Sequence, residues 1–222
     1  MSSFRTVGRK IVAIGRNFAD HAKELGNAVP SKPMLFLKPT SSYAVNGKTI
    51  EIPSQCDVHH EVELGVVIGQ TARRVSEADA MKHVAGYTLA IDMTARDLQN
   101  AAKKAGHPWS VAKGFDDFTP ITDMVSAETI KDPHNVRLWL KINGETKQDG
   151  TTQDFIFGIP RLISHVSQIM TLEEGDVILT GTPKGVGPVR PGDHLEAAIE
   201  SEGEQVLHGE WNVAGRHVDA EL

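Results

Sequence analysis

The chain has 222 residues, enough to bury a sizeable core. Its 40% hydrophobic and 23% charged residues sit near the globular norm, which excludes wholesale disorder. Lys and Arg number 23 against 29 Asp and Glu, and the net charge of −6 lacks the basic excess of a general nucleic-acid binder.

A single cysteine, Cys56, excludes an internal disulfide and fits a reducing compartment. No apolar run approaches the ~20 residues of a membrane span. Arg5, Arg9, Lys10 and Arg16 precede the first acid, Asp20, much as in an organellar presequence, but 11–14 already reads as a strand. The expected location is the cytoplasm, with the mitochondrion as the alternative. No repeat or linker interrupts the chain, which reads as one domain over 1–222.

Residues 10–14 predict a short strand, turned by Gly15-Arg16-Asn17. Asn17 or Asp20 is placed to cap a short helix running to Leu25. His21 and Glu24 lie three apart and share a face of that helix. Such a pair can act as a general base, the acid orienting the imidazole; an exposed, merely solvated turn is the alternative. Residues 34–38 read as a strand stopped by Pro39. Asn46-Gly47 predicts a hairpin into 48–52.

His59 to Gly69 is the most informative stretch. As a strand it sends Val62, Leu64, Val66 and Ile68 to one face and Glu61, Glu63, Gly65 and Val67 to the other. Two carboxylates about 7 Å apart along one face repel, unless a cation lies between them. A half-exposed strand with both acids in water fits the same alternation. Ser76 predicts a helix cap. Residues 84–93 are apolar and β-prone yet carry Asp92 at their end, a costly acid unless it is paired or metal-bound. Asp92 is therefore a candidate third ligand beside Glu61 and Glu63; a helix cap or a partner of Arg96 are the alternatives. Three carboxylates with water select Mg²⁺, Mn²⁺ or Ca²⁺ over zinc.

A helix starting at Thr94 or Asp97 runs to Lys104 and breaks at Gly106-His107-Pro108. Lys113 leaves an apolar stretch, where it can stabilise an oxyanion, neutralise the acids or snorkel to water. Asn143-Gly144 and Asp149-Gly150 carry hairpin signals. Residues 159–170 have the spacing of an amphipathic helix. Residues 177–179 predict a buried strand before Thr180-Gly181-Thr182-Pro183-Lys184-Gly185-Val186-Gly187. That loop lacks the Gly-Lys-Ser/Thr ending of a nucleotide loop, although its amides and Thr182 can hold a small carboxylate. Turns are expected at 191–193 and 202–203.

Five motifs occur in order: Gly15-Arg16-Asn17-Phe18-Ala19-Asp20-His21, Phe36-Leu37-Lys38-Pro39, His60-Glu61-Val62-Glu63-Leu64, Asp92-Met93-Thr94-Ala95-Arg96-Asp97, and Gly181 to Gly187. Together they resemble the fumarylacetoacetate hydrolase family, in its small acylpyruvase form, over about 10–199. The resemblance implies an α+β catalytic fold, a mixed β-roll or sandwich with a few short helices, assembled as a homodimer. It implies Mg²⁺ or Mn²⁺ on Glu61, Glu63 and Asp92, and His21 with Glu24 as the proton-moving pair. It places Lys113 at the reacting centre and Arg16, Arg96, Gln99 and Thr182 on a small 2-oxo or 2,4-dioxo acid. Phe18 departs from the tyrosine of many members. The implied activity is hydrolysis of acylpyruvates to pyruvate and a carboxylic acid. The alternative is decarboxylation or keto–enol tautomerisation of oxaloacetate; less favoured is a silent metal-binding interaction protein.

Overall fold

The computed structural model describes residues 4–19 and 30–219. The predicted His21–Glu24 helix lies outside the described residues. The first strands are β1 (Ile11–Gly15), β2 (Met34–Lys38), β3 (Tyr43–Val45), β4 (Ile50–Pro53), β5 (Val58–His60), β6 (Val62–Ile68), β7 (Val84–Ile91) and β8 (Thr94–Ala95). They are followed by β9 (Thr119–Ile121), β10 (Val125–Ser126), β11 (Val136–Ile142), β12 (Glu145–Thr151), β13 (Val177–Leu179), β14 (Gly187–Pro188), β15 (His194–Ser201) and β16 (Glu204–Arg216).

The larger sheet runs β2-β1-β13-β6-β7-β9-β3, with β10 also on β7. A second sheet runs β12-β11-β15-β16-β4, and a short third sheet joins β14, β5 and β8. Parallel pairs (β1 with β13, β3 with β9, β4 with β16) are mixed with antiparallel ones, so the fold is α+β with few short helices. The alternation read along β6 holds. Val62, Leu64, Val66 and Ile68 join the main core, while Val67 packs on the opposite face with Ile11, Ala13, Val177 and Leu179. Every residue of β6 is buried, so the half-exposed alternative falls. Complete burial of a side chain such as Leu64 stabilises by roughly 2–3 kcal/mol.

The main core also takes Leu138 and Leu140 of β11, Leu195 and Ile199 of β15, and Leu162 and Val166 of the Ile159–Ile169 helix. That helix has proline in its first turn, where the missing N–H costs nothing. Ser76 caps the Glu77–Ala80 helix, accepting from the Asp79 N–H at 3.2 Å. The Arg96–Ala105 helix ends at Gly106, whose φ of 71° closes the C-terminus.

Asn143 (φ 52°) and Gly144 (φ 82°) make the primed turn joining β11 to β12. Two other turn expectations need correction. Asn46-Gly47 does turn the chain, but β3 goes to the large sheet and β4 to the second sheet, so no hairpin forms. Its Asn46 side chain and Gly47 N–H are used on Glu210 of β16 instead. Asp149-Gly150 lies inside β12, where Asp149 pairs with Arg137 across the ladder.

Buried Asn17 fastens the end of β1 to the site-bearing loops. Its Nδ2 donates to the Thr180 and Phe157 carbonyls at 2.8 and 3.1 Å, and its Oδ1 accepts from the Phe157 N–H at 2.8 Å. Asn17→Ala would orphan two carbonyls and an N–H, so a loss of about 3 kcal/mol is expected. Urea unfolding should show a lower midpoint; an unchanged midpoint would mean that water replaces the amide.

Candidate active site

The antiparallel register of β6 and β7 sets Val62 against Ile91, and the Asp92 N–H donates to the Glu61 carbonyl at 2.8 Å. Asp92, distant in sequence, is thereby brought beside Glu61 and Glu63. Carboxylate oxygens of Glu61, Glu63 and Asp92 lie within 4.8 Å of one another. All are buried, with 7%, 2% and 1% of their surface exposed.

Cations close around two of the three. Lys113 Nζ donates to Asp92 at 2.5 Å and to Glu61 at 3.1 Å. Arg96 pairs with the other oxygen of Glu61, and its second nitrogen donates to Gln99 Oε1 at 2.7 Å. Lys38 meets Asp92 at 2.5 Å and the Phe118 carbonyl at 2.7 Å. The Arg96 partner is thus Glu61, not Asp92. Lys113 does not snorkel: only 1% of it is exposed. Burial opposes its charge, but Asp92 and Glu61 outweigh burial and hold the ammonium above the ordinary lysine range. Lys113 is thereby placed as a cation and hydrogen-bond donor beside both acids.

Glu63 differs. Its carboxylate accepts one N–H, from Gly181 at 2.7 Å, and has no ion-pair partner among the described residues. Burial, then Asp92 and Glu61, push its pKa well up. An interior carboxylate facing two like charges through oxygen atoms alone fits a hard divalent cation. The residues present thus suit Mg²⁺ or Mn²⁺ on Glu61, Glu63 and Asp92.

Gly181 has φ 100°, and a Cβ there would meet Asn17 Cβ at 2.8 Å, so glycine is required. Of the loop amides expected to hold a substrate carboxylate, that of Gly181 is spent on Glu63. Thr182 keeps its place: its hydroxyl accepts from Gln148 Nε2 at 2.7 Å, which leaves its own proton free among the described residues. Gln148 also accepts from the Val62 N–H at 3.0 Å and from His60 Nδ1 at 2.8 Å. Burial holds His60 down at about 4, so it is neutral. Arg16 lines a recess with Arg96, Gln99 and Lys113, whose ammonium lies 4.7 Å from the Phe36 ring centroid. Phe18 makes an edge-on contact with Phe155 at 5.1 Å.

Sequence reasoning missed Lys38 and Gln148. A lysine followed by proline at the end of an apolar strand was a signal for Lys38. Gln148 in a hairpin strand carried none.

Residues 10–207 match the fumarylacetoacetate hydrolase C-terminal domain. The chain belongs to the fumarylacetoacetate hydrolase family. It is 61% identical over 193 residues to a mitochondrial oxaloacetate tautomerase of Arabidopsis thaliana, covering 86% of each chain. It is 55% identical over 201 residues to a mitochondrial oxaloacetate decarboxylase of Dictyostelium discoideum, covering 90% of this chain and 92% of that one. The fold resembles a fumarylpyruvate hydrolase of Pseudomonas aeruginosa, solved with Mn²⁺ and pyruvate, with a TM-score of 0.87 at 32% identity. That match covers 94% of this chain and 91% of that one. This family member is an enzyme, and the relatives' names favour the oxaloacetate alternative over acylpyruvate hydrolysis.

The raised Glu63 pKa has a definite sign. A folded acid whose pKa is raised binds more protons than the unfolded chain, so metal-free protein loses stability as pH rises above the ordinary glutamate range. Glu63→Gln should flatten that loss and abolish stabilisation by Mg²⁺, which wild type should show by linkage. Melting temperatures from pH 5 to 8, with and without Mg²⁺, test both; equal Mg²⁺ shifts in the two proteins would sink the ligand assignment.

Proposed function

We propose that this enzyme uses a divalent metal to interconvert the keto and enol forms of oxaloacetate, with decarboxylation of the keto form, which yields the pyruvate enolate, as a second outcome at the same site. The observation that carries this reading is the charge of the buried cluster. Glu61 and Asp92 are paired with Lys38, Lys113 and Arg96, and Arg16 and Lys103 line the same recess, so a divalent cation bound to the acids leaves the site net positive. A four-carbon oxo-diacid offsets more of that excess than the monoanionic acetylpyruvate. The names of the Arabidopsis and Dictyostelium relatives point the same way.

A cation held by Glu61, Glu63 and Asp92 would supply Lewis acidity toward a 2-oxo acid. The protein's own groups do the rest. Lys113 Nζ, held protonated by Asp92 and Glu61, donates to the oxygen at C2 as negative charge develops there. Arg96, oriented by Gln99 and Glu61, binds and aligns a substrate carboxylate. The free proton of Thr182 offers a further donor. His21, oriented by Glu24, removes the proton at C3; both lie outside the described residues. Loss of CO₂ from the same diacid needs the electron sink but no base.

Acylpyruvate hydrolysis is the second reading, favoured by the likeness to a fumarylpyruvate hydrolase. There His21 would activate water rather than carbon. The deciding experiment is a turnover panel of oxaloacetate, acetylpyruvate and fumarylpyruvate with Mg²⁺ and Mn²⁺, following enol absorbance. Oxaloacetate should have the highest kcat/KM; a preference for acetylpyruvate would overturn the reading.

His21→Ala should cost tautomerisation on the order of 10²–10⁴-fold, as for a lost general base. Decarboxylation should fall far less, and the Mg²⁺ shift in melting temperature should persist. Equal losses in both reactions would make His21 a positioning residue.

The reading includes a single catalytic domain over 1–222 in a two-fold homodimer, with mitochondrial residence favoured by the names of the relatives. Strand β2 ends the large sheet and leaves Leu37 49% exposed, a surface suited to burial against a copy. Light scattering that gives the 24.1 kDa monomer mass at micromolar concentration would remove the dimer.

A further inference from the structure

The recess beside the acids carries more positive charge than its visible partners require. Arg16, Arg96, Lys103 and Lys113 all line it, against one lining carboxylate, Glu61. Arg96 and Lys113 are paired with acids; Arg16 and Lys103 have no carboxylate partner among the described residues. Arg96, Gln99 and Lys103 stand at i, i+3 and i+7 of the Arg96–Ala105 helix, so they share one face. Lys103 is about 10 Å farther along the axis than Arg96. A lysine side chain leans back toward the helix N-terminus, here toward Arg96.

Two features hold Lys103 in place. Its Nζ lies 5.3 Å from the ring centroid of Trp109, which itself packs on Phe36 at 5.5 Å. Gly106, in its left-handed conformation, turns the chain so that Trp109 comes back beside the helix. Burial, with Arg96 and Arg16 next, pushes the Lys103 ammonium down, the mark of a cation short of counter-charge. Arg16 turns the chain at φ 61°, a conformation that costs a non-glycine residue energy.

We propose that Lys103, assisted by Arg16, is the specificity-determining residue that binds the distal carboxylate of a four-carbon diacid whose 2-oxo end lies at the acid triad. The inference rests on the oxaloacetate reading for the substrate. It adds the group that separates diacids from monoacids. The neighbouring Lys104 makes no such contact and serves as a control.

The test uses full-length protein saturated with Mg²⁺. L-Malate and L-lactate, unreactive probes that differ by the distal carboxylate, are titrated by calorimetry. Wild type should prefer malate, and Lys103→Met should lower that preference about tenfold, with lactate affinity unchanged. Lys103→Arg should restore it, and Lys104→Met should match wild type. The KM for oxaloacetate should rise about tenfold in Lys103→Met, with kcat and the KM for the 4-methyl ester unchanged. No malate preference in wild type, or one that survives Lys103→Met, overturns the inference. If the malate preference depends on Lys103 but oxaloacetate is not turned over, the carboxylate site stands and the tautomerase reading falls.

Discussion

The constraint on which the structure depends is the ionic clamp at Asp92. Lys38 and Lys113 approach its two oxygens at 2.5 Å each, and each of the three residues is only 1% exposed. Taking such charges out of water is expensive, and removing one partner of a buried pair costs about 3–5 kcal/mol. The clamp is therefore weak as a source of stability and strong as a constraint on geometry. It fixes the end of β2, the end of β7 and the Ser110–Lys113 helix around one carboxylate. The stability has to come from elsewhere: from the apolar layers on both faces of β6, and from the face-to-face packing of the two larger sheets.

Much of this was legible where a physical rule acts locally. Alternation placed Glu63 opposite the Val62–Ile68 core face, and an acid ending an apolar run marked Asp92. The primed turn at Asn143-Gly144 needs left-handed residues, which the pair supplies. The failures arise where partners are remote. Asn46-Gly47 has the same turn chemistry, but the pairing of β4 with β16 spans more than 150 residues, and nothing local announces it. Asp149-Gly150 reads as a turn because its strand context, the salt bridge to Arg137, lies across a ladder. Lys38 was placed in a motif but given no role, and Gln148 was passed over, because burial of a polar side chain is a property of the assembled fold. Placement of the His21–Glu24 pair lies outside the described residues, so its role rests on sequence and resemblance.

The Gly-rich loop shows how the fold turns backbone into site. Gly181 passes so close to Asn17 that no side chain fits, and its N–H reaches Glu63. The next residue, Thr182, is held by Gln148, which also grips the first N–H of β6. One amide thus joins the loop that offers a donor to the strand that offers the acids. The loop looks like a ligand cradle in sequence, but most of its hydrogen bonding serves the protein itself. What Thr182 keeps for a ligand is its hydroxyl proton, free among the described residues.

The same bookkeeping of charge links metal and substrate. On the proposed reading, a divalent cation added beside Lys38, Lys113 and Arg96 would leave the cluster positive, at close range in a poorly screened interior. An anion would then strengthen cation binding, and a dianion would relieve more of that field than a monoanion. Linkage requires the effect to be reciprocal: whatever factor the cation adds to diacid affinity, the diacid adds to cation affinity. Of the three acids, Glu63 is the one with no cationic side-chain partner among the described residues, so a cation would relieve it most. On the proposed reading, the acids, the lysines and the recess with Arg16 and Lys103 would act as one electrostatic unit, with the cation drawn by Glu63 and the diacid by the positive charge left around it.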